Sequence, residues 1–356
     1  MDGSKGNYPF HEFFAGSGLV GCGLSGSFTS VWANDVSERK AQVYRANLDS
    51  SVLHVGDIAS VNGADMPVAF LSWASFPCQD LSLAGNIEGI YSERSGLVWQ
   101  WLRVLDEQAE AAPRVICLEN VSGLVSAHGG EDYRHLHQAL VSRGYAVGAV
   151  LINASRFVPQ SRPRVFVIGT KGQIPQDLVG HGPGWAHTSA LQRLASSIDG
   201  FVWWNLPELE ERTATIDDLI EKQIPYDRDE IAALIPEKHV RKLEESGREF
   251  ATGYRRTRSG KQVLEIRCDG VAGCLRTPAG GSSRQYLVQR GEDGLHVRLL
   301  TTREVARLMG APDSFELPGT YNDGYYAMGD AVAVPVARFL SDHLLARLVE
   351  AAYAVR

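Results

Sequence analysis

Cysteine is scarce in this 356-residue chain, and no two cysteines are closely paired. Cys22, Cys78, Cys117, Cys268 and Cys274 are an odd number without any Cys-x-x-Cys spacing, so the sequence argues against a disulfide framework or a zinc site. Four of them are most simply reduced thiols or small core residues; Cys78, between a proline and a glutamine, is set apart. Long apolar runs are also missing. No stretch approaches the roughly 18 residues that a membrane span needs, and residues 1–8 lack an apolar signal core. A cytoplasmic protein without a membrane partner is expected. Repeats and low-complexity tracts are absent as well, which excludes solenoid and fibrous classes. What remains, 44% hydrophobic and 22% charged residues, is the balance of a globular enzyme or binding protein, with length for two domains or one α/β domain carrying a large insertion.

Positive charge is not in excess overall, since the net charge is −7, but its distribution is uneven. Residues 238–290 hold 12 Lys and Arg against 5 Asp and Glu, a local net of +7. Arg255, Arg256, Arg258 and Lys261 share one short run. Such a run is either a solvated loop or the electrostatic footprint of a phosphate-contacting module.

Along the first 170 residues, strand-like segments at 10–14, 30–34, 52–55, 68–75, 115–118, 146–152 and 165–168 alternate with helix-like ones at 37–47, 96–109 and 133–143. That rhythm predicts an α/β fold with a doubly wound, mostly parallel sheet. From about residue 171 the rhythm is lost, and a smaller, irregular second module is expected. Thr301 to Glu304 forms a capping box that opens a short helix through Leu308, and an amphipathic helix is expected over 336–352. The chain thus divides into an α/β part (1–170), an irregular part (171–326) and a C-terminal segment (327–356).

Gly16-Ser17-Gly18-Leu19-Val20-Gly21 fits G-x-G-x-x-G directly after the first strand, where backbone must turn sharply and approach a ligand. Asp35, 14 residues after Gly21, ends the second strand and could accept from ribose hydroxyls, while Asp57 could accept from an adenine amino group. Either aspartate could equally be a helix N-cap or a turn acid. A nicotinamide or flavin dinucleotide and S-adenosylmethionine all carry adenine and ribose, so these features do not choose among them.

Pro77-Cys78-Gln79 follows one apolar run, and Glu119-Asn120-Val121, which begins 41 residues after Cys78, follows another. A thiol and a carboxylate at the ends of two buried strands would meet at the sheet edge where α/β proteins bind ligands. A simple hydride-transfer site has no need of that cysteine.

With these motifs in view, the sequence resembles the DNA (cytosine-5) methyltransferase family of bacterial and phage type. Phe13-Phe14-Ala15-Gly16-Ser17-Gly18 is similar to its cofactor loop, Phe76-Pro77-Cys78-Gln79 to its nucleophile motif and Glu119-Asn120-Val121 to its acid motif. Gln160-Ser161-Arg162-Pro163-Arg164 matches its Gln-x-Arg-x-Arg element. Arg303-Glu304 with Met309-Gly310 and Phe315 resembles the element that braces the recognition domain, and Gly329-Asp330-Ala331-Val332 its last motif. Two departures stand out: Val36 occupies the place of an aromatic that would stack on adenine, and Asp330 that of an asparagine near the methyl-bearing side of the cofactor.

The resemblance implies a Rossmann-like fold that uses S-adenosyl-L-methionine, yields S-adenosyl-L-homocysteine and needs no metal; Asp330 leaves room for a modified cofactor or a pairing cation. It implies catalytic roles for Cys78 as nucleophile, Gln79 beside it, Glu119 on the ring nitrogen, and Arg164 with Arg162 on the base carbonyl. Cofactor contacts are implied for Phe14, Ala15, Gly16, Gly18, Leu19, Asp35, Asp57, Ile58, Pro77, Leu97, Asp330, Ala331 and Val332. Residues 79–94, with Gly85 and Gly89 as hinges, would close over a flipped base. The expected partner is double-stranded DNA, contacted through Arg255, Arg256, Arg258, Lys261, Arg276, Arg284 and Gln285. A monomer is expected, serving in restriction-modification, defence or phage DNA modification, with a restriction endonuclease as a genetic companion only. The alternatives are a tRNA cytosine-5 methyltransferase of the same fold and, remotely, a dinucleotide-dependent oxidoreductase.

Overall fold

The structure, a computed structural model, describes residues 7–77, 96–277 and 284–354. Cys78, Gln79, the expected closing loop with Gly85 and Gly89, and the centre of the 276–285 segment lie outside the described residues.

The first half alternates as its apolar pattern requires: β1 (Tyr8–Phe13), α1 (Leu19–Leu24), β2 (Phe28–Asp35), α2 (Glu38–Asn47), β3 (Leu53–Val55), β4 (Leu71–Ala74), α3 (Leu97–Glu107), β5 (Val115–Val121), α4 (Gly123–Ser126), α5 (Glu131–Val141), β6 (Ala146–Asn153) and β7 (Pro163–Thr170). These seven strands form one sheet in the order β3-β2-β1-β4-β5-β7-β6. The first five are parallel, and β7 runs antiparallel to both β5 and β6. Both faces of the sheet are covered, which explains why β5 is apolar on successive residues rather than alternating. Phe10, Trp73, Cys117 and Phe166 face one core, and Phe13, Ala74, Ile116 and Val167 face the other.

Three boundaries differ from expectation for identifiable reasons. β5 continues through Glu119 to Val121, because β7 supplies ladder partners as far as Val121. The helix expected over 96–109 stops at Glu107, and Ala109 turns into the left-handed region at φ 50°. At the C-terminus the helix starts earlier, at Val334, and is interrupted by a π-type turn over Ser341–Leu345.

The second half is more regular than expected. After α6 (Ser189–Ala195) and α7 (Glu237–Ser246) come β8 (Phe250–Arg258), β9 (Lys261–Arg267), β10 (Gln285–Arg290) and β11 (Leu295–Leu299), an antiparallel sheet in the order β11-β10-β8-β9. It has its own core around Leu243, Leu264, Ile266, Val288 and Val297. β8 is buried over its first four residues, partly buried over the next three and exposed over its last two, so it shows neither alternation nor a continuous apolar run. The chain then forms α8 (Thr302–Leu308), α9 (Tyr321–Gly329), α10 (Val334–Leu340) and α11 (Ala346–Tyr353). Thr301 caps α8 in the expected box with Glu304. These last helices bury Val305, Tyr325, Val336 and Leu348 in the same core as Phe10 and Leu19. No helix among the described residues is long and apolar enough to cross a membrane.

Candidate active site

Strand order reverses between β1 and β4, and an open α/β sheet has its crevice at such a point, beyond the carboxyl ends of the strands. A cavity of about 480 Å³ lies there, within the size range of small-molecule sites. Phe14 to Gly16 enter it from β1, Asn34 to Ser37 from β2, Asp57 and Ile58 from beyond β3, Ser75 to Pro77 from β4, and Glu119 to Val121 from β5. Arg164, Tyr326 and Asp330 close the remaining sides.

The β1–α1 turn is tight, with Phe14, Gly16 and Gly18 all at positive φ. Asp35 holds it: one carboxylate oxygen accepts from the Gly16 N–H at 2.8 Å and the other from the Ser37 N–H, also at 2.8 Å. Asp35 therefore lines the cavity while also acting as the turn acid of the alternative reading. Asp57 likewise accepts from the Ala59 N–H, with its carboxylate exposed, and Ile58 beside it is buried. Ala15, Leu19, Leu97, Ala331 and Val332 also line the cavity. Gly18 does not. Its φ of 81° favours glycine, and a Cβ would also fall 2.2 Å from Leu48 Cδ1 and 2.9 Å from the Tyr44 ring, so backbone conformation and packing both favour glycine there.

At the other end, Arg164 Nε is 2.8 Å from Glu119 Oε1, with both side chains largely buried. Because β7 is antiparallel, its second residue stands opposite Val121 at the end of β5, and Glu119 lies diagonally across on the same face. Burial raises the Glu119 pKa above the ordinary carboxyl range, against the pull of Arg164 and then Arg162. Asn120 ties β5 to the strand that leads to Cys78: its amide nitrogen donates to the Phe76 carbonyl at 2.9 Å.

Arg162, expected beside the base, is not at the cavity. It is 1% exposed, and its Nη1 donates to the carbonyls of Leu275 and Gly329 at 3.0 and 3.1 Å. Burial, reinforced by Arg164, lowers its pKa to about 10. It fastens β7 to the segment after β9 and to the end of α9.

A family model described as C-5 cytosine-specific DNA methylase matches residues 8–346. The chain belongs to that family. The Type II methyltransferase M.Bsp6I of Bacillus sp. (strain RFL6) is 27% identical over 345 residues, covering 94% of this chain and 97% of its own length. M.HhaI of Haemophilus parahaemolyticus is 25% identical, with 93% and 92% covered. Among solved structures, the S. pombe Dnmt2 methyltransferase superposes with a TM-score of 0.62 at 19% identity, over 94% of this chain and 96% of that one, a likeness of fold.

In this methylase, both departures from the family pattern fall on the cavity wall. Val36 lines it yet is 73% exposed. Asp330 is paired with Lys40 at 2.6 Å, and the Lys40 ammonium lies 5.2 Å from the centre of the Tyr326 ring. Sequence reasoning overlooked Lys40 and Tyr326; a lysine one turn into a helix and a tyrosine 286 residues later carry no mutual signal. Among the described residues no group of His, Cys, Asp or Glu is arranged to hold a metal.

The residues expected at DNA divide into three groups. Arg255, Arg256, Arg258 and Lys261 occupy the β8–β9 hairpin, where Glu265 pairs with Arg256 at 3.1 Å and with Arg258 at 2.6 Å. Arg276 is exposed, and Arg284 donates to Asn322 at 2.6 Å. Gln285 is a correction: its amide bonds the Gly273 N–H and C=O, and it is fully buried, out of reach of a base edge.

Proposed function

We propose that this methylase transfers a methyl group from S-adenosyl-L-methionine to carbon 5 of a flipped-out cytosine in a specific duplex DNA sequence, through a transient bond to Cys78. The observation that carries the reading is the buried Glu119–Arg164 pair at the strand-order reversal, beside the Phe76-Pro77 segment that leads to Cys78.

The cavity's donor set suits the cofactor. Apolar Ile58 and Leu97 with the Asp57 carboxylate suit an adenosine, and the Gly16 turn leaves space where a side chain would stand. When bound, the cofactor supplies an electrophilic methyl on a sulfonium and leaves as S-adenosyl-L-homocysteine.

Cytosine carbon 5 is a poor nucleophile until the ring is made electron-rich. The Cys78 thiolate adds to carbon 6 and provides that density. Glu119, whose pKa burial raises, donates to ring nitrogen 3 as charge accumulates there. Arg164 steadies Glu119 and faces the base carbonyl. Once carbon 5 carries the methyl, its proton passes to a base such as water, the 5,6 double bond re-forms with departure of the Cys78 thiolate, and the nitrogen-3 proton returns to Glu119. A base inside a duplex cannot reach such a pocket, so it must leave the stack. The basic β8–β9 hairpin supports a phosphate-contacting role for the second sheet, and exposed Arg276 remains a candidate for base edges.

The test is bisulfite sequencing and nucleoside mass spectrometry of DNA from cells that express the protein, with methyl incorporation into transfer RNA measured alongside. Sequence-specific 5-methylcytosine that vanishes in Cys78→Ser is expected; modification confined to transfer RNA, or full activity of Cys78→Ser, would overturn the reading.

A further inference from the structure

Six charged residues line the cavity among those described: Asp35, Lys40, Asp57, Glu119, Arg164 and Asp330. Two are cations, and Arg164 is committed to Glu119. Asp35 is committed as well, because both of its oxygens accept backbone N–H groups. Asp57 accepts from the Ala59 N–H and stands at the adenosine end in the reading above. That leaves Lys40 and Asp330, which are bonded to each other across the wall at 2.6 Å although 290 residues apart.

Lys40 rises from the first turn of α2 and Asp330 caps the end of α9. The Lys40 side chain is only 12% exposed, whereas the Asp330 carboxylate is 49% exposed and can turn. A second ion pair, Arg39 with Asp323 at 2.9 Å, joins the same two helices, and the Tyr326 ring lies beneath both cations. The Lys40–Asp330 bond is thus not the sole link between the two helices.

We propose that Lys40 and Asp330 read the amino-acid end of the cofactor, the lysine ammonium taking its α-carboxylate and the Asp330 carboxylate its α-ammonium. This inference rests on the S-adenosyl-L-methionine reading above. A zwitterion inserted between two opposite charges exchanges one ion pair for two. No charge is left buried without a partner, which is the costly outcome when an ion pair is broken from one side. Burial disfavours the charge on Lys40, yet Asp330 and Asp35 together carry its pKa above the ordinary lysine value, so it is a cation at working pH. Asp330, at the position of the family's asparagine, thus has a cation of its own chain to balance it.

The test is calorimetric binding by the full chain of S-adenosyl-L-homocysteine and of 5′-methylthioadenosine, which keeps the adenine, ribose and sulfur but lacks the amino acid. Lys40→Met and Asp330→Asn should each weaken S-adenosyl-L-homocysteine by about tenfold or more and leave 5′-methylthioadenosine within about twofold. The charge-swapped double variant, Lys40→Asp with Asp330→Lys, separates reading from bracing. It restores the bond between α2 and α9 but presents each charge to the wrong end of the zwitterion, so the fold recovers and S-adenosyl-L-homocysteine affinity does not. Equal weakening of both ligands by the single variants, no weakening of either, or recovery of affinity in the double variant would overturn the proposal. A wild-type protein that binds neither ligand would instead overturn the cofactor reading beneath it.

Discussion

Arg164 meets Glu119 because β7 runs against β5: the antiparallel turn delivers the start of one strand to the end of the other, and the two side chains bond at 2.8 Å. Had β7 been parallel, its first residues would lie at the far edge of the sheet, away from the cavity. The single reversed strand is what gives the carboxyl its cation.

The first prediction concerns the protonation of that carboxyl. Burial raises the Glu119 pKa and Arg164 opposes the rise more than any other group, so the donor form persists to a higher pH than in a free glutamate and is lost as pH climbs through the raised value. Glu119→Gln should lower the rate of DNA methylation by roughly 10²- to 10⁴-fold, the usual contribution of a positioned acid. Arg164→Met should slow the reaction and also move the alkaline limb of the pH profile upward. A Glu119→Gln enzyme at full speed would remove the carboxyl from the mechanism.

A second carboxyl predicts a pH-dependent stability. Glu12 on β1 is 1% exposed, with Oε1 accepting from the Gly21 N–H at 3.3 Å and Oε2 without a partner among the described residues. Burial, with a smaller push from Asp35, raises its pKa from near 4.5 to about 8. Below pH 4.5 it is neutral folded or unfolded; between there and pH 8 only the unfolded chain ionises it, so stability falls across this window. The loss is on the order of 5 kcal/mol over the whole span. Glu12→Gln should flatten that slope, as measured by urea denaturation from pH 5 to 8; an unchanged slope would show that other groups set it.

How much of this was legible in the sequence follows from how local each signal is. β1, β4 and α2 were readable because apolar runs, helical patterning and the glycine turn act over a few residues. Glu119 was found at the end of an apolar run, but its partner depends on strand order, which no local pattern encodes. Lys40 and Asp330 meet only after the chain returns through α9, and Arg162 looks the same in sequence whether it faces a base or two carbonyls. Gln285 illustrates the reverse problem: a polar residue in a basic segment suggests a surface, while the structure spends it on the Gly273 backbone.

The third prediction tests the joint between the second sheet and the returning helices. Arg298 on β11 and Glu304 on α8 form a buried two-pronged ion pair, with Nη1 to Oε2 at 2.8 Å and Nη2 to Oε1 at 2.6 Å. Glu304 also accepts from the backbone N–H of Glu221 and of Thr301. Removing one partner strands a charge in the interior, so Arg298→Met should cost about 3–5 kcal/mol. Glu304→Leu should cost at least as much, since it also empties the helix cap. The double variant should be less destabilised than the sum of the two, and strict additivity in denaturation midpoints would show the pair to be uncoupled.

The last prediction concerns the basic hairpin. Lys261 is exposed beside the Ser259-Gly260 turn, while Arg256 and Arg258 on β8 are both engaged by Glu265 on β9. A phosphate contact reveals itself in the dependence of affinity on salt, because each neutralised phosphate releases condensed counterions. If the hairpin lies on the duplex, Lys261→Ala should weaken binding evenly across sequences and reduce the salt slope by about one. Glu265→Gln should act in the opposite sense: it removes the carboxylate that occupies two arginines, which should raise non-specific affinity and steepen the slope. Slopes unchanged in both variants would place the hairpin off the DNA, and the local excess of positive charge would then be a solvated surface.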